Sequence, residues 1–309
     1  MSAVALAYVF TSLDWEQLVE ATRGANLPLY LTFTVLDKLI FFLWWGTLQA
    51  AAIRRFVSPI GTFKVISIRG GAELVRTANG PLADAAFMFG VSRVTNGSVA
   101  AVAAAVGVPF VCHFTILLLQ TTVALSFLDG GLGANRDVVA IGAVGWSAVI
   151  TVALLVRYGP FERWFASSTL GSWLRGLSLR SLAPFMLWFG LFSAFDVLIQ
   201  GLASRAFGID IPWWALAARI PILYTFLALP SFGGFGTREL TWAASFVDYA
   251  PQETLVAYAL ATNAIFLLMH VVIGMIFLPR AISLISDMRK AKNEGETVRV
   301  PFLRDASDP

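Results

Sequence analysis

Cysteine and histidine are nearly absent from this sequence, and their scarcity excludes two kinds of site. The single cysteine, Cys112, excludes a disulfide framework and a cysteine-based metal cluster. The two histidines, His113 and His270, are too few for a multi-histidine metal site. We therefore expect no bound metal and no cofactor.

Charge is equally scarce. Only 13% of the 309 residues are charged and 58% are hydrophobic, whereas a soluble domain carries about 25% charged residues. The net charge of +3 is too small for a nucleic-acid-binding surface, so no nucleic-acid partner is expected. Together with a mean hydropathy of +0.75, this composition predicts an all-α polytopic membrane protein, because a lone membrane span satisfies its backbone only as a helix.

Long apolar runs predict the spanning helices, each of which needs about 20 mostly apolar residues. Five stretches meet this length: Leu27–Ile53, Ser98–Leu128, Val138–Val156, Leu182–Ala203 and Gln252–Pro279. The opening stretch, Ala3–Leu13, is shorter and has neither a basic segment nor a small-residue cleavage site. We interpret it as a short first helix rather than a signal peptide, which makes about six spans.

Two further apolar stretches contain glycine and proline breaks. They are residues 59–96, broken at 70–71 and 79–81, and residues 212–249, broken at Pro221 and 229–236. We interpret both as re-entrant helical hairpins, the first open to the cytoplasm and the second to the outside. Each hairpin is followed by a long span, and this inverted-repeat arrangement is typical of transporters whose sites lie at broken helices.

The basic residues predict the orientation. With two re-entrant hairpins, 16 of the 22 basic residues fall on one side, which marks that side as cytoplasmic. We therefore expect an inner (plasma) membrane protein of bacterial type with a cytoplasmic C-terminus. The predicted parts are a first membrane half (1–156), a cytoplasmic amphipathic linker (157–181), a second membrane half (182–286) and a cytoplasmic tail (287–309).

Charged residues within the apolar segments are the candidate site residues, since inserting one costs roughly 2.5–3.5 kcal/mol. Arg238 and Glu239 follow the second hairpin's break, where a helix beginning near Gly236 would direct its positive end at an anion. The fork of Arg238 suits a phosphate. Glu239 is expected to orient Arg238 or to exchange a proton; alternatively, both residues satisfy the hairpin's own broken backbone.

For each of the other embedded charges, a structural contact and a functional role both stay open. Asp37 and Lys38 are adjacent and so point about 100° apart on a helix. Each is expected to meet a partner on another helix, such as Arg219 or Arg238 for Asp37, or a lipid headgroup. For Asp196 we favour a structural contact over proton relay.

In the first hairpin, Glu73 and Arg76 are spaced to pair on one helix face, or they line a cavity. The candidate substrate-binding residues are Asp37, Lys38, Asn79, Asp84, Arg93, Arg219, Gly233, Gly234, Gly236, Arg238 and Glu239.

Residues 230–239 read Pro-Ser-Phe-Gly-Gly-Phe-Gly-Thr-Arg-Glu. In this pattern the chain resembles the lysylphosphatidylglycerol synthase membrane region, also called the flippase-like domain family. Residues 79–84 match part of that family's first-half motif, with Ala83 in place of a glycine and Asp84 in place of a glutamate. Arg93 stands near the family's later basic position.

This resemblance implies a flippase or scramblase for an anionic phospholipid or a polyprenyl-phosphate-linked lipid. It does not imply aminoacylation, which in that family belongs to a separate soluble domain, and the segment after Pro279 is too short for one. Two alternatives stay open: a membrane-embedded lipid headgroup transferase or hydrolase, and a non-transporting partner of a glycosyltransferase or lipid synthase. The sequence has no catalytic cluster and no ATP-binding motif, so we expect no enzyme. The expected partners are the lipid and either a lipid-modifying enzyme or a second copy of the chain.

Overall fold

A computed structural model describes residues 15–128, 135–158, 178–227 and 236–293. Throughout these ranges the regular structure is α-helical, without strands. The helices described are α1 (Trp15–Gly24), α2 (Leu27–Phe56), α3 (Thr62–Arg76), α4 (Gly80–Thr95), α5 (Val99–Leu125), α6 (Arg136–Tyr158), α7 (Leu179–Ala206), α8 (Trp213–Leu227), α9 (Thr237–Phe246), α10 (Gln252–Ile276) and α11 (Leu278–Asn293).

Five of these helices, α2, α5, α6, α7 and α10, are long and apolar enough to cross a membrane. They confirm that the five long apolar runs form helices long enough to span a membrane. Only 11% of the apolar window of α6 is buried within the protein, and Val144 on its surface is 70% exposed. Apolar surface on this scale suits lipid rather than water. The predicted helix Ala3–Leu13 and most of the predicted linker 157–181 lie outside the described residues.

Two of the predicted helix breaks are wrong. α3 continues through Gly70 and Gly71, and α8 continues through Pro221. The glycines serve close packing instead, because a Cβ atom on Gly71 would lie 3.0 Å from the backbone nitrogen of Ala281 in α11. Neighbouring helices in a membrane can compensate the hydrogen bond that a proline removes, so a proline within a helix is tolerated there.

The break at 79–81 is confirmed, because α3 ends at Arg76 and α4 begins at Gly80. Of the predicted break at 229–236, only residue 236 lies within the described residues. α3 packs against α4, and α8 packs against α9. The Asn79 side chain begins α4 by accepting a hydrogen bond from the Leu82 N–H at 2.9 Å, and Asn96 ends it with a left-handed φ of 52°.

The four helices of the predicted hairpins, α3, α4, α8 and α9, have 10 to 16 residues, which is about 15–24 Å of helix. A bilayer core of about 30 Å exceeds this length. Re-entry and the inverted repeat stay predictions.

The chain forms two compact units. Unit 1 comprises Met1–Phe42, Cys112–Val152 and Met186–Met269, and unit 2 comprises Leu43–Val111, Ala153–Phe185 and His270–Pro309. Unit 1 contains α8 and α9, and its core includes the buried side chains of Tyr30, Trp242 and Tyr258. Unit 2 contains α3 and α4, and its core includes Ile53, Ile68 and Phe87. The predicted halves 1–156 and 182–286 stay a prediction.

The glycine packing in unit 2 makes a first prediction. A Cβ atom on Gly70 would meet the ring of Phe277, 2.6 Å from its Cγ, so we expect Gly70→Ala to lower the free energy of unfolding by about 1–3 kcal/mol. Gly107 is the matched control, because a Cβ atom there meets nothing within 4 Å. Gly107→Ala should be neutral or stabilise by up to about 1 kcal/mol. Unfolding titrations in detergent micelles measure both, and equal stabilities would contradict the packing argument.

Candidate functional site

Arg238 lies in the first turn of α9, two residues after Gly236. Gly236 precedes the helix with a φ of +82°, a left-handed conformation that glycine adopts without strain. The helix begins at Thr237, so the predicted helix start near Gly236 is confirmed. At this position the positive end of α9 adds to the charge of Arg238.

Glu239 attaches this helix start to α10. Its carboxylate oxygens accept hydrogen bonds from the Gly236 N–H at 2.6 Å and from the Asn263 side-chain amide at 2.7 Å. The side chain is fully buried. Of the roles that the sequence leaves open for Glu239, the structure shows the structural one, because Glu239 satisfies the backbone at the break. By fixing the first turn of α9, it also positions Arg238.

Two cations approach one aromatic ring in unit 1. The Arg238 guanidinium carbon lies 4.9 Å from the centroid of Phe266 on α10. The Lys38 Nζ atom, from α2, lies 5.5 Å from the same centroid. Two cations beside one ring repel each other, and negative charge nearby offsets this repulsion. The Arg238 Nε atom is buried and has no hydrogen-bond partner among the described residues, so the guanidinium retains a donor for a ligand.

Two buried acids belong to the same group of charges. Asp37, on α2, is 6% exposed and interacts electrostatically with Asp196, Arg238 and Lys38. Asp196, on α7, also interacts with Arg238, and both of its oxygens accept from the Tyr224 hydroxyl at 2.9 Å. We call Asp37, Lys38, Asp196 and Arg238 the unit 1 charge cluster. The cluster joins α2, α7 and α9. Each of its charges alone would be energetically unfavourable within a membrane.

Arg219 does not belong to this cluster. Its guanidinium donates to the Ser245 carbonyl oxygen and lies 3.5 Å from an Asp248 carboxylate oxygen. These contacts tie α8 to the end of α9. Arg219 therefore forms an ion pair in unit 1. Of the two partners suggested for Asp37, Arg238 is the one with which it interacts electrostatically.

A second charged group, centred on Glu73, lies in unit 2. Glu73 is 1% exposed, and the Nε atoms of Arg76 and Arg69 lie 3.4 and 3.9 Å from its Oε1 atom. His270 contacts its Oε2 atom, and Arg69 also donates to the Gln49 side chain at 2.8 Å. The predicted pairing of Glu73 with Arg76 is confirmed. We call Glu73, Arg69, Arg76 and His270 the Glu73 cluster.

The candidate residues of the first hairpin have structural contacts in unit 2. Asn79 caps α4, and Asp84 accepts a hydrogen bond from Arg76. The Arg93 guanidinium lies over the Phe89 ring at 5.3 Å. Gly233 and Gly234 lie outside the described residues. The structure therefore brings together Asp37, Lys38 and Arg238 from the predicted set, with Gly236 and Glu239 supporting them.

The two histidines are part of packed surroundings rather than a metal site. The His113 ring lies 5.0 Å from Phe189 and 5.9 Å from Tyr224, between centroids. His270 belongs to the Glu73 cluster. In the ranges that the structure describes, no group of three or more histidine, cysteine or acidic side chains is arranged to hold a metal ion.

Sequence reasoning missed three functional contacts. Phe266 lies beneath both cations, and Tyr224 donates to Asp196. Both residues come from other helices than the charges they contact, and nothing in their local sequence indicates these contacts. Arg69 is different, because it lies four residues before Glu73 on one helix, a spacing that places two side chains on the same face.

Comparisons with known proteins add no assignment. No family model matches the chain, and no curated protein is significantly similar to it.

Proposed function

We propose that this protein moves an anionic lipid between the two leaflets of its membrane, as a flippase or scramblase. The observation that carries the proposal is the pair of cations, Arg238 and Lys38, on the ring of Phe266 inside unit 1. The lipid phosphate would bind at this pair, and its acyl chains would stay in the bilayer beside the exposed apolar helices.

The chemistry of Arg238 favours a phosphate over a neutral group. A guanidinium presents parallel N–H donors that match two phosphate oxygens, and the first turn of α9 adds the positive end of a helix. The resemblance of residues 230–239 to the flippase-like domain family supports the same substrate class. A phospholipid and a polyprenyl-phosphate-linked lipid share this chemistry.

For the transport path, we propose that both hairpins re-enter the membrane from opposite sides as an inverted repeat. The short arms of α3, α4, α8 and α9 support re-entry, because none has the roughly 20 residues that a span requires. The bias of basic residues supports a cytoplasmic C-terminus in a bacterial inner membrane.

Reconstitution of the full chain in liposomes tests the function. A fluorescent phosphatidylglycerol is included, and dithionite quenches the label in the outer leaflet. We expect faster translocation than in empty liposomes. Arg238→Ala should slow it by about 10- to 100-fold, since hydrogen bonds to a charged group contribute about 1.5–3 kcal/mol. Arg238→Lys, which keeps the charge but loses the fork, should fall between.

Arg205 is the matched control for this experiment. It pairs with the exposed Asp210 at 2.9 Å, away from the unit 1 charge cluster, so Arg205→Ala should translocate lipid at the wild-type rate. A fully active Arg238→Ala variant, or no acceleration with any anionic lipid, would refute the proposal. Recovery of chemically altered lipid would indicate a headgroup-modifying enzyme instead.

A further inference from the structure

The unit 1 charge cluster contains equal numbers of basic and acidic side chains, so their formal charges sum to zero. Its two cations, Lys38 and Arg238, face two buried acids, Asp37 and Asp196. A lipid phosphate that binds at Arg238 would bring a further negative charge into this buried region. Uncompensated charge is strongly unfavourable in surroundings of low dielectric constant. The cluster therefore needs a compensating positive charge whenever the anion is bound.

Asp37 is the acid best placed to take up that charge. Asp37 is 6% exposed. Its Oδ1 atom is buried and has no hydrogen-bond partner among the described residues. Asp196 differs, because both of its oxygens already accept from Tyr224. An unpaired carboxylate oxygen in a buried site can accept a proton without losing an existing contact.

Titratable groups from several helices of unit 1 surround Asp37. Its own helix supplies Lys38, and the others are Asp196 on α7, Tyr224 on α8, Arg238 on α9 and Tyr258 on α10. His113, on α5, contacts Tyr224 from the side. The positive charges of Lys38 and Arg238 favour the ionised form of Asp37, whereas its burial and the charge of Asp196 oppose that form. A bound phosphate would neutralise the effect of the two positive charges.

We propose that the Asp37 carboxylate takes up one proton from water when an anionic headgroup binds at Arg238, so that the lipid and the proton are carried together. This inference rests on the proposed function. The proton comes from the aqueous side on which the lipid binds and returns to water when the lipid leaves the site. The formal charges of the occupied cluster then again sum to zero, and no further co-reactant is needed.

Calorimetry tests the proton uptake directly. Dihexanoyl phosphatidylglycerol is titrated into the full chain in detergent micelles, at one pH, in two buffers with different ionisation enthalpies. The difference in measured heat counts the protons taken up, and we expect about one proton per bound anion. Since the bound state holds the extra proton, raising the pH should weaken binding, by up to about tenfold per pH unit.

Three variants assign the proton to its carboxylate. Asp37→Asn, which is nearly isosteric, should bind the probe with proton uptake close to zero and an affinity that no longer depends on pH. Asp210→Asn is the control, because Asp210 is exposed and pairs with Arg205, and it should keep the wild-type uptake. Asp196→Asn should also keep proton uptake. Thermal unfolding of each variant verifies that it is folded.

The outcomes distinguish a failure of the proton-uptake inference from a failure of the proposed lipid transport. Binding of dihexanoyl phosphatidylglycerol without proton uptake overturns the inference and leaves the proposed function standing. Loss of uptake in Asp196→Asn but not in Asp37→Asn shows that Asp37 is the wrong carboxylate. No binding by the wild-type chain, or equal binding of dihexanoyl phosphatidylcholine and the anionic probe, counts against the proposed function itself.

Discussion

Glu73→Ala is expected to lower the free energy of unfolding by about 3–5 kcal/mol, because removing one partner of a buried ion pair leaves the other charge uncompensated. Glu73 is the acid that faces Arg69, Arg76 and His270 in unit 2. Arg76 would retain Asp84. Arg69 is 6% exposed, and its hydrogen bond to Gln49 would remain. The repulsion between the two arginines would then act in a buried site.

Unfolding titrations of the purified chain in detergent micelles measure this effect. Asp137→Ala is the matched control, since Asp137 is an exposed acid in the first turn of α6, and its loss should change stability by less than about 1 kcal/mol. Glu73→Gln keeps the shape and one acceptor oxygen, so its stability should fall between wild type and Glu73→Ala. A change below about 1 kcal/mol for Glu73→Ala would show that the cluster does not stabilise unit 2.

The second large effect concerns Glu239. We expect Glu239→Ala to lower the free energy of unfolding by about 2–4 kcal/mol, because two buried hydrogen bonds to a carboxylate are lost and the Gly236 N–H loses its acceptor. The same variant should also translocate lipid more slowly, since the first turn of α9 that carries Arg238 is no longer held against α10.

Two measurements distinguish these consequences. Unfolding titrations give the stability, and the liposome assay at a temperature where the variant is folded gives the transport rate. Glu239→Gln is the informative control, because the Gly236 N–H and Asn263 donate to different carboxylate oxygens, and the amide replaces one of these two acceptors with an NH2 donor. If Glu239→Ala lost stability but transported lipid normally, Glu239 would have no role in positioning Arg238.

Local sequence predicts helices in this chain because it contains their physical causes. The apolar run beginning at Leu27 predicts a span that ends at Ile53, and α2 ends close to it, at Phe56. Its last turn contains Arg54 and Arg55, which interact favourably with the negative end of a helix. The Asn79-Gly80-Pro81 break is predicted for the same kind of reason, since an asparagine cap and an early proline act within one turn.

Local sequence misleads where a distant helix changes the role of a residue. Gly70 and Gly71 suggest a break, because glycine weakens an isolated helix. In the folded chain they allow close packing against Phe277 and α11, and this packing compensates the low helix propensity. Pro221 likewise suggests a break that α8 does not have.

The scarcity of charge and the long apolar runs by themselves predict a helical protein with several helices that could span a membrane and few charges within them, and the described part of the chain has five such helices. Only the tertiary structure decided how those charges are partnered. Arg219 pairs with Asp248, Glu73 contacts His270 across 197 positions of sequence, and Asp37 interacts electrostatically with Arg238. The physical reason is that helix formation depends on neighbours within one or two turns, whereas the partner of a buried charge is set by helices that pack together from distant parts of the chain.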